Sequence, residues 1–215
     1  MKETRICIVG GGGRLWPIQF MKDLALNTMT NGTLVLYDID KEAARNNVPV
    51  AKRIFSVNKS DGRFEVEAID DIGEALKGCD LVLVSLEPGK TECRRGDLNL
   101  PEEYGILQTV GDTTGPGGIM RARRALPIFF DLARKIEQYC PDAWVINYTN
   151  PMTLCTAALY KAFPGIKALG CCHEVFHTQN FLAAKVEEWF GVPRPDRREI
   201  KIDITGVNHF TFVTK

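Results

Sequence analysis

The stretch Arg5-Ile6-Cys7-Ile8-Val9-Gly10-Gly11-Gly12-Gly13 decides the fold. A short apolar run ending in glycine reads as a parallel strand buried on both faces. The glycines after it allow a sharp turn and let backbone N–H groups come close to a ligand that a Cβ would keep away. Pro17 through about Asn27 reads as the helix that follows, with Pro17 tolerated in its first turn. Strand, glycine turn and helix in that order make a cradle for a dinucleotide pyrophosphate, to which the helix N-terminus adds partial positive charge. Gly10 and Gly12 occupy the first two places of G-x-G-x-x-G and Gly13 adjoins them, but the third place falls on Leu15, so the fingerprint is incomplete.

The second strand, Thr33–Asp38, ends in the acid that should bind the adenosine ribose hydroxyls. Asp38 lies 28 residues after Gly10, against ~20 in the compact motif; the turn Asn27–Gly32, with Asn31-Gly32 as its turn signal, absorbs the excess. A carboxylate there selects NAD over NADP, because it repels a 2′-phosphate. Outward from this unit the chain alternates. Residues 41–58 read as a helix that Pro49 kinks or interrupts, 63–68 as a strand, 71–77 as a short helix, and 81–85 as a core strand that ends on Ser85, a further cofactor-binding candidate. Residues 86–117 show little periodicity and read as one long functional loop. A helix over 118–139, a strand over 144–147, a helix over 151–162 capped by Thr149 or Asn150, a strand over 168–170 and a helix over 174–190 follow, then strands over 199–206 and 209–213. This order predicts an α/β fold, a doubly wound parallel sheet of Rossmann type over residues 1–195, with residues 196–215 leading into a second α+β domain.

Composition narrows the function classes. Of the 215 residues 45% are hydrophobic and 25% charged, which is ordinary globular usage. Lys plus Arg and Asp plus Glu number 27 each, so no basic excess recommends nucleic acid or a membrane surface as a partner. Seven cysteines without paired spacing argue against a disulfide framework. With neither a signal-peptide core nor an apolar run near the ~20 residues of a membrane span, a reducing cytoplasmic compartment is expected.

The second half carries different candidates. Glu92, Arg94, Arg95 and Asp97 read either as a solvated face or as ligand contacts. Asp112 opens the glycine-rich stretch to Gly118, which either approaches a ligand or shapes a tight turn. Asn150 is either a helix cap or a ligand contact at the C-terminal end of a parallel strand. Cys172 and His209, 37 residues apart, suit a soft-to-borderline divalent metal. Two such ligands are too few for a structural site but fit a catalytic metal completed by substrate oxygens. The alternative is a buried thiol and a hydrogen-bonded imidazole.

The order Ile-Val-Gly-Gly-Gly, Leu-Tyr-Asp-Ile-Asp, Thr-Gly-Pro-Gly-Gly-Ile-Met-Arg-Ala, Asn-Tyr-Thr-Asn-Pro-Met, Cys-His-Glu-Val and Gly-Val-Asn-His-Phe resembles glycoside hydrolase family 4 from about residue 5 to 212. These are NAD- and metal-dependent glycosidases outside the usual two-carboxylate scheme. The resemblance implies NAD at Gly10, Gly12 and Asp38, manganese or another divalent ion at Cys172 and His209, and sugar contacts from Arg94 and Asn150. It sets Asp112 beside the nicotinamide and the sugar, and His173 and Glu174 at positions that vary with specificity. His173, taken with Asp112 as catalytic, points to the branch acting on unphosphorylated α-hexosides or hexuronides.

The implied chemistry is redox-assisted elimination. Hydride leaves C3 of the sugar for NAD, the resulting ketone acidifies C2–H, the aglycone is eliminated, water adds and the hydride returns. Family members are longer, and their second domain supplies the tyrosine base, much of the sugar pocket and the oligomer interface. The 215 residues are therefore expected to be the NAD-binding portion, with little hydrolysis alone and an apolar surface on the last helix and strands. The expected partners are a small carbohydrate and, at full length, further copies of the chain, with neither nucleic acid nor membrane. Two alternatives share the residues: a lactate/malate-type 2-hydroxy-acid dehydrogenase, with His173 or His177 as its histidine, and a non-enzymatic NAD-binding module.

Overall fold

The computed structural model describes residues 3–27, 29–57, 63–108, 111–207 and 210–214. Strands β1 (Glu3–Val9), β2 (Asn31–Tyr37), β3 (Phe64–Ala68), β4 (Leu81–Val84), β5 (Trp144–Asn147) and β6 (Lys167–Gly170) form one sheet in the order β3-β2-β1-β4-β5-β6. All five pairings are parallel, so every return crosses a face through a helix. The helices are α1 (Trp16–Leu26), α2 (Lys41–Val57), α3 (Ile72–Leu76), α4 (Thr91–Asn99), α5 (Gly115–Tyr139), α6 (Met152–Ala162) and α7 (Glu174–Phe190). This is the doubly wound arrangement expected from the sequence. Its order reverses between β1 and β4, which opens a crevice at the C-terminal ends of those strands.

Side-chain alternation divides the core in two. Cys7 and Val9 of β1 and Val82 and Val84 of β4 face the layer of α3, α5 and α6, where Phe129, Leu132 and Ile136 close over them. Ile6, Ile8 and Leu83 face α1 and α2, against Met21, Leu24, Ala51 and Phe55. Beyond α7, an antiparallel hairpin of β7 (Ile204–Val207) and β8 (Phe210–Val213) stands apart from the main sheet. It meets α7 through a Thr211 hydroxyl donating to the Glu174 carboxylate at 3.1 Å. The apolar surface expected there is present, since Phe181, Trp189, Phe190, Phe210 and Phe212 are all exposed. Among the described residues, no helix is long and apolar enough to cross a membrane.

Five local expectations are corrected. Asn31-Gly32 is not a turn but the start of β2. Gly32 has φ +142°, and a Cβ there would lie 2.1 Å from the Thr4 carbonyl oxygen, so close approach to β1 is what requires glycine. Pro49 does not break α2; it sits on the exposed side, where water can satisfy the carbonyl it leaves without a donor. The long loop contains α4 and a 3₁₀ turn, Leu100–Tyr104. In α4 the one buried residue is Asp97, paired with Arg124 of α5, so the helix carries no apolar period to read. Neither Thr149 nor Asn150 caps α6, whose N-cap is Pro151 with no side-chain bond. The strand expected over 199–206 is pairing backbone only from Ile204, because Asp196 and Glu199 close a capping box around a 3₁₀ turn at Arg197–Glu199.

The cysteines form no disulfide: Cys7, Cys79, Cys140 and Cys155 are buried, Cys171 and Cys172 half-buried and Cys93 exposed. Burial pushes the Cys140 and Cys155 thiols up to about 12. The folded state thus holds their protons more tightly than the unfolded chain, whose thiols titrate near ~8.5. Their stabilisation is complete below the unfolded value and is lost as pH rises toward the folded one. The urea midpoint should therefore fall between about pH 8 and about pH 11, and less so in a Cys140→Ala/Cys155→Ala double variant. At about pH 8 a thiol reagent should label Cys93 first and Cys140 and Cys155 only after unfolding.

Candidate active site

The crevice above β1 and β4 is a cleft of about 610 Å³ whose walls include Gly10, Gly12, Gly13, Asp38, Ser85, Arg94, Asp112 and Asn150. Residues separated by up to 140 positions thus meet at one switch point. Its floor is the glycine loop. Gly10 and Gly11 both donate backbone N–H to the Tyr37 carbonyl at 2.8 Å, and Gly13 donates to Gly10 at 3.0 Å. A Cβ on Gly10, where φ is +96°, would fall 1.9 Å from the Ser85 carbonyl oxygen, so only glycine lets β1 and β4 end side by side. Gly12 donates its N–H to Asp38 Oδ2 at 2.9 Å, and Asp40 donates to Asp38 Oδ1 at 3.0 Å. A carboxylate has about four acceptor sites, so Asp38 retains capacity for ribose hydroxyls. Leu15, at the place of the third glycine, is exposed and packs against nothing that would demand glycine. From α2 the buried Asn47 amide reaches under the loop and donates to the carbonyls of Gly11 at 2.7 Å and Gly13 at 3.0 Å. The sequence pass did not single out Asn47; an Asn inside a helix carries no signal of such a contact.

The opposite wall comes from the segments after β4 and β5. Asn147, fully buried at the end of β5, donates to the Thr149 carbonyl at 3.1 Å and accepts the Thr149 N–H at 2.9 Å. The Thr149 hydroxyl then accepts the Leu86 N–H at 2.8 Å, stitching the two segments together. The Asn150 amide donates to Asp112 Oδ2 at 3.0 Å, and Asp112 is itself buried. Arg121 of α5, 4% exposed, ties the wall together. Its Nε donates to the Asn150 carbonyl at 2.9 Å, and its two terminal nitrogens donate to Glu87 at 2.6 and 3.1 Å. Glu87 also faces Arg94 at 3.6 Å. Arg121 and Glu87 were not among the expected site residues, although Arg121 stands inside the Ile-Met-Arg-Ala motif.

An aromatic row borders the cleft. Trp16, at the start of α1, stacks on Tyr148 with centroids 5.3 Å apart and lies 5.6 Å from the His173 ring, which meets His177 edge-on at 4.4 Å. Burial, reinforced by Cys171, pushes the Tyr148 phenol up to about 12. Cys172 precedes α7, and its sulfur accepts the Glu174 N–H at 3.5 Å. His209 lies outside the described residues. Among those described, no group of three or more His, Cys, Asp or Glu side chains is gathered as a metal site. What can be tested of the implied groups fits. The glycine cradle is one that a Cβ would fill, with a carboxylate at its ribose end, and Cys172 offers a soft donor at a helix start.

Comparisons with known proteins agree with this geometry. The sequence profile described as "Family 4 glycosyl hydrolase" matches residues 5–188. An alpha-galacturonidase of Bacillus subtilis is 46% identical over 215 residues, which is 100% of this chain and 47% of that protein. The crystal structure of the Bacillus subtilis protein lplD superimposes with a TM-score of 0.91 at 47% identity, covering 100% of this chain and 48% of the other. A 6-phospho-alpha-glucosidase from gut microorganisms, crystallised in complex with NAD and Mn2+, gives a TM-score of 0.80 at 26% identity, covering 99% and 46%. The chain spans about half the length of these relatives.

The Arg121–Glu87 pair supports a stability prediction. Glu87 is 44% exposed on its side chain, so water softens its loss, but Arg121 would keep a buried charge with only the Asn150 carbonyl as partner. Glu87→Ala should lower unfolding free energy by about 1–3 kcal/mol, read as a lower urea midpoint at constant slope. A midpoint equal to wild type would show that Arg121 is adequately solvated without it.

Proposed function

This chain belongs to family 4 of the glycosyl hydrolases, and on that premise we propose that it is the NAD- and Mn2+-binding part of a glycosidase for an unphosphorylated α-hexoside, with hexuronides the favoured class. The carrying observation is the single cleft that joins the glycine loop and Asp38 on one side to Arg94, Asp112 and Asn150 on the other. Hexuronides are favoured because the alpha-galacturonidase shares far more identity with this chain than the phospho-sugar enzyme does. His173 after Cys172 supports the unphosphorylated branch. When bound, the cofactor supplies a reversible hydride acceptor, and the metal a Lewis acid for the sugar oxygens.

The chain's own residues prepare that chemistry. The backbone where the glycine loop passes through Arg14 into the N-terminus of α1 receives the pyrophosphate, and Asp38 receives the adenosine ribose. Asn150, with its side-chain nitrogen committed to Asp112 and its backbone carbonyl to Arg121, keeps its side-chain oxygen Oδ1 for a sugar hydroxyl. Asp112, held by Asn150 and by the Thr113 hydroxyl at 3.3 Å, presents a fixed carboxylate beside the reacting carbons. Arg94 lines the cleft from α4, and His173 packs beside Trp16, which lines it too. Cys172, with His209, would hold the divalent ion. Exposed Phe181, Trp189 and Phe190 on α7 support assembly into a homo-oligomer.

Thermal unfolding of the 215-residue chain tests the cofactor half. NAD at about a hundredfold excess over its Kd should stabilise the chain by about 2.7 kcal/mol and raise the midpoint. NADP should do so much less, since Asp38 repels its 2′-phosphate. An unchanged midpoint with NAD would sink the reading. Steady NADH release with a 2-hydroxy acid would replace it with a dehydrogenase, because the hydrolytic cycle returns its hydride and accumulates no NADH.

A further inference from the structure

We propose that Asn47 is a positioning residue for the cofactor, orienting two peptide planes of the glycine loop so that the Gly12 N–H meets Asp38 and the Arg14 N–H points at the pyrophosphate. The inference rests on the NAD-binding reading above. In a planar trans peptide the carbonyl of one residue and the N–H of the next point in opposite directions. Pinning the carbonyl therefore sets the direction of the following N–H. Asn47 Nδ2 pins the Gly11 carbonyl at 2.7 Å and the Gly13 carbonyl at 3.0 Å, both from the α2 side. The first contact turns the Gly12 N–H away from α2, where it meets Asp38 Oδ2 at 2.9 Å. The second turns the Arg14 N–H away from α2, on the side where Arg14 lines the cleft.

Glycine makes such pinning necessary. Without a Cβ, Gly11, Gly12 and Gly13 adopt a wide range of backbone angles at little cost, so the Gly13–Arg14 plane, left unpinned, can turn and present a carbonyl oxygen to the phosphates. An oxygen in that place repels the ligand, whereas an N–H attracts it. The Asn47 amide is suited to the task because its two hydrogens can serve two acceptors at once. It is 8% exposed and α2 is anchored on both sides of it by buried Ala44 and Ala51. The clamp is thus in place before the cofactor arrives, and ordering the loop costs nothing further on binding. Asp38 does not substitute for it, since Asp38 touches the Gly12 plane alone, and from the cleft side.

Asn47→Asp keeps the shape of the side chain but replaces both donors with acceptors facing two carbonyls. Kd values for NAD, ADP-ribose and adenosine should be measured by calorimetry on the 215-residue chain and on this variant. ADP-ribose and NAD should bind about tenfold more weakly to the variant, while adenosine, which lacks the pyrophosphate, should bind within about twofold of wild type. A purely structural role would weaken all three together or none. In wild-type amide spectra, saturation with NAD should shift the Arg14 signal more than those of Gly11 and Gly12, whose N–H groups are spent on Tyr37 and Asp38. That measurement keeps the proposal open to refutation even if Asn47→Asp fails to fold. Equal ADP-ribose affinity in wild type and variant, or an Arg14 signal unmoved by bound NAD, would overturn the role of Asn47 alone. Failure of wild type to bind NAD would overturn the cofactor reading and this role with it.

Discussion

Two strand ends share very little space at the centre of the sheet. The Gly10 α-carbon lies so close to the end of β4 that a single added methyl would overlap the Ser85 carbonyl. That approach lets β1 and β4 lie side by side as neighbours and part above their C-terminal ends, with helices leaving to opposite faces. The crevice left between them is the one place where a cofactor loop and a substrate loop can face each other within a single layer of sheet. Asp38, Arg94, Asp112 and Asn150 are arranged around it. The apolar layers beneath, built on Phe129 on one face and Phe55 on the other, hold the two strand ends in register.

Above the sheet the stabilising interactions change character. Below, helices meet strands through alternating apolar side chains. Above, loops meet loops through buried polar groups: Asn47 under the glycine turn, Asn147 and Thr149 beneath the segment after β4, Arg121 between Glu87 and Asn150, and Arg124 on Asp97. Each buried polar atom must find a partner or lose its hydration without return, and each partner here has a direction. A polar layer of this kind is less tolerant of substitution than an oily one, because removing one group strands another. It also holds donors and acceptors at fixed angles, as the orientation of any bound ligand demands.

Much of this was legible beforehand for physical reasons. Buried parallel strands leave continuous apolar runs, so β1, β4 and β5 stand out from the sequence, and glycine followed by a helix marks where the first of them ends. Asp38 could be found because a strand end places it at a predictable distance from the loop. By contrast, α4 was hidden because its anchor is an ion pair with a helix 27 residues away instead of an apolar stripe. Gly32 misled because the usual reason for Asn-Gly, a turn, was replaced by a close strand crossing. Asn150 was read as a possible cap, yet its side chain turns to Asp112, 38 residues earlier.

By itself, then, the sequence determined the sheet, the order of its layers, the glycine turn and the ordered motifs that mark the family. Periodicity and steric demand are local properties and leave their trace in neighbouring residues. Only the tertiary structure decided which polar groups meet: Asn47 with Gly11 and Gly13, Arg121 with Glu87 and Asn150, Trp16 with Tyr148 and His173. An apolar side chain is satisfied by any apolar neighbour, so its burial follows from pattern. A hydrogen-bonding side chain needs one partner at one angle, and that partner is chosen only when distant segments have been brought to the same edge of the sheet.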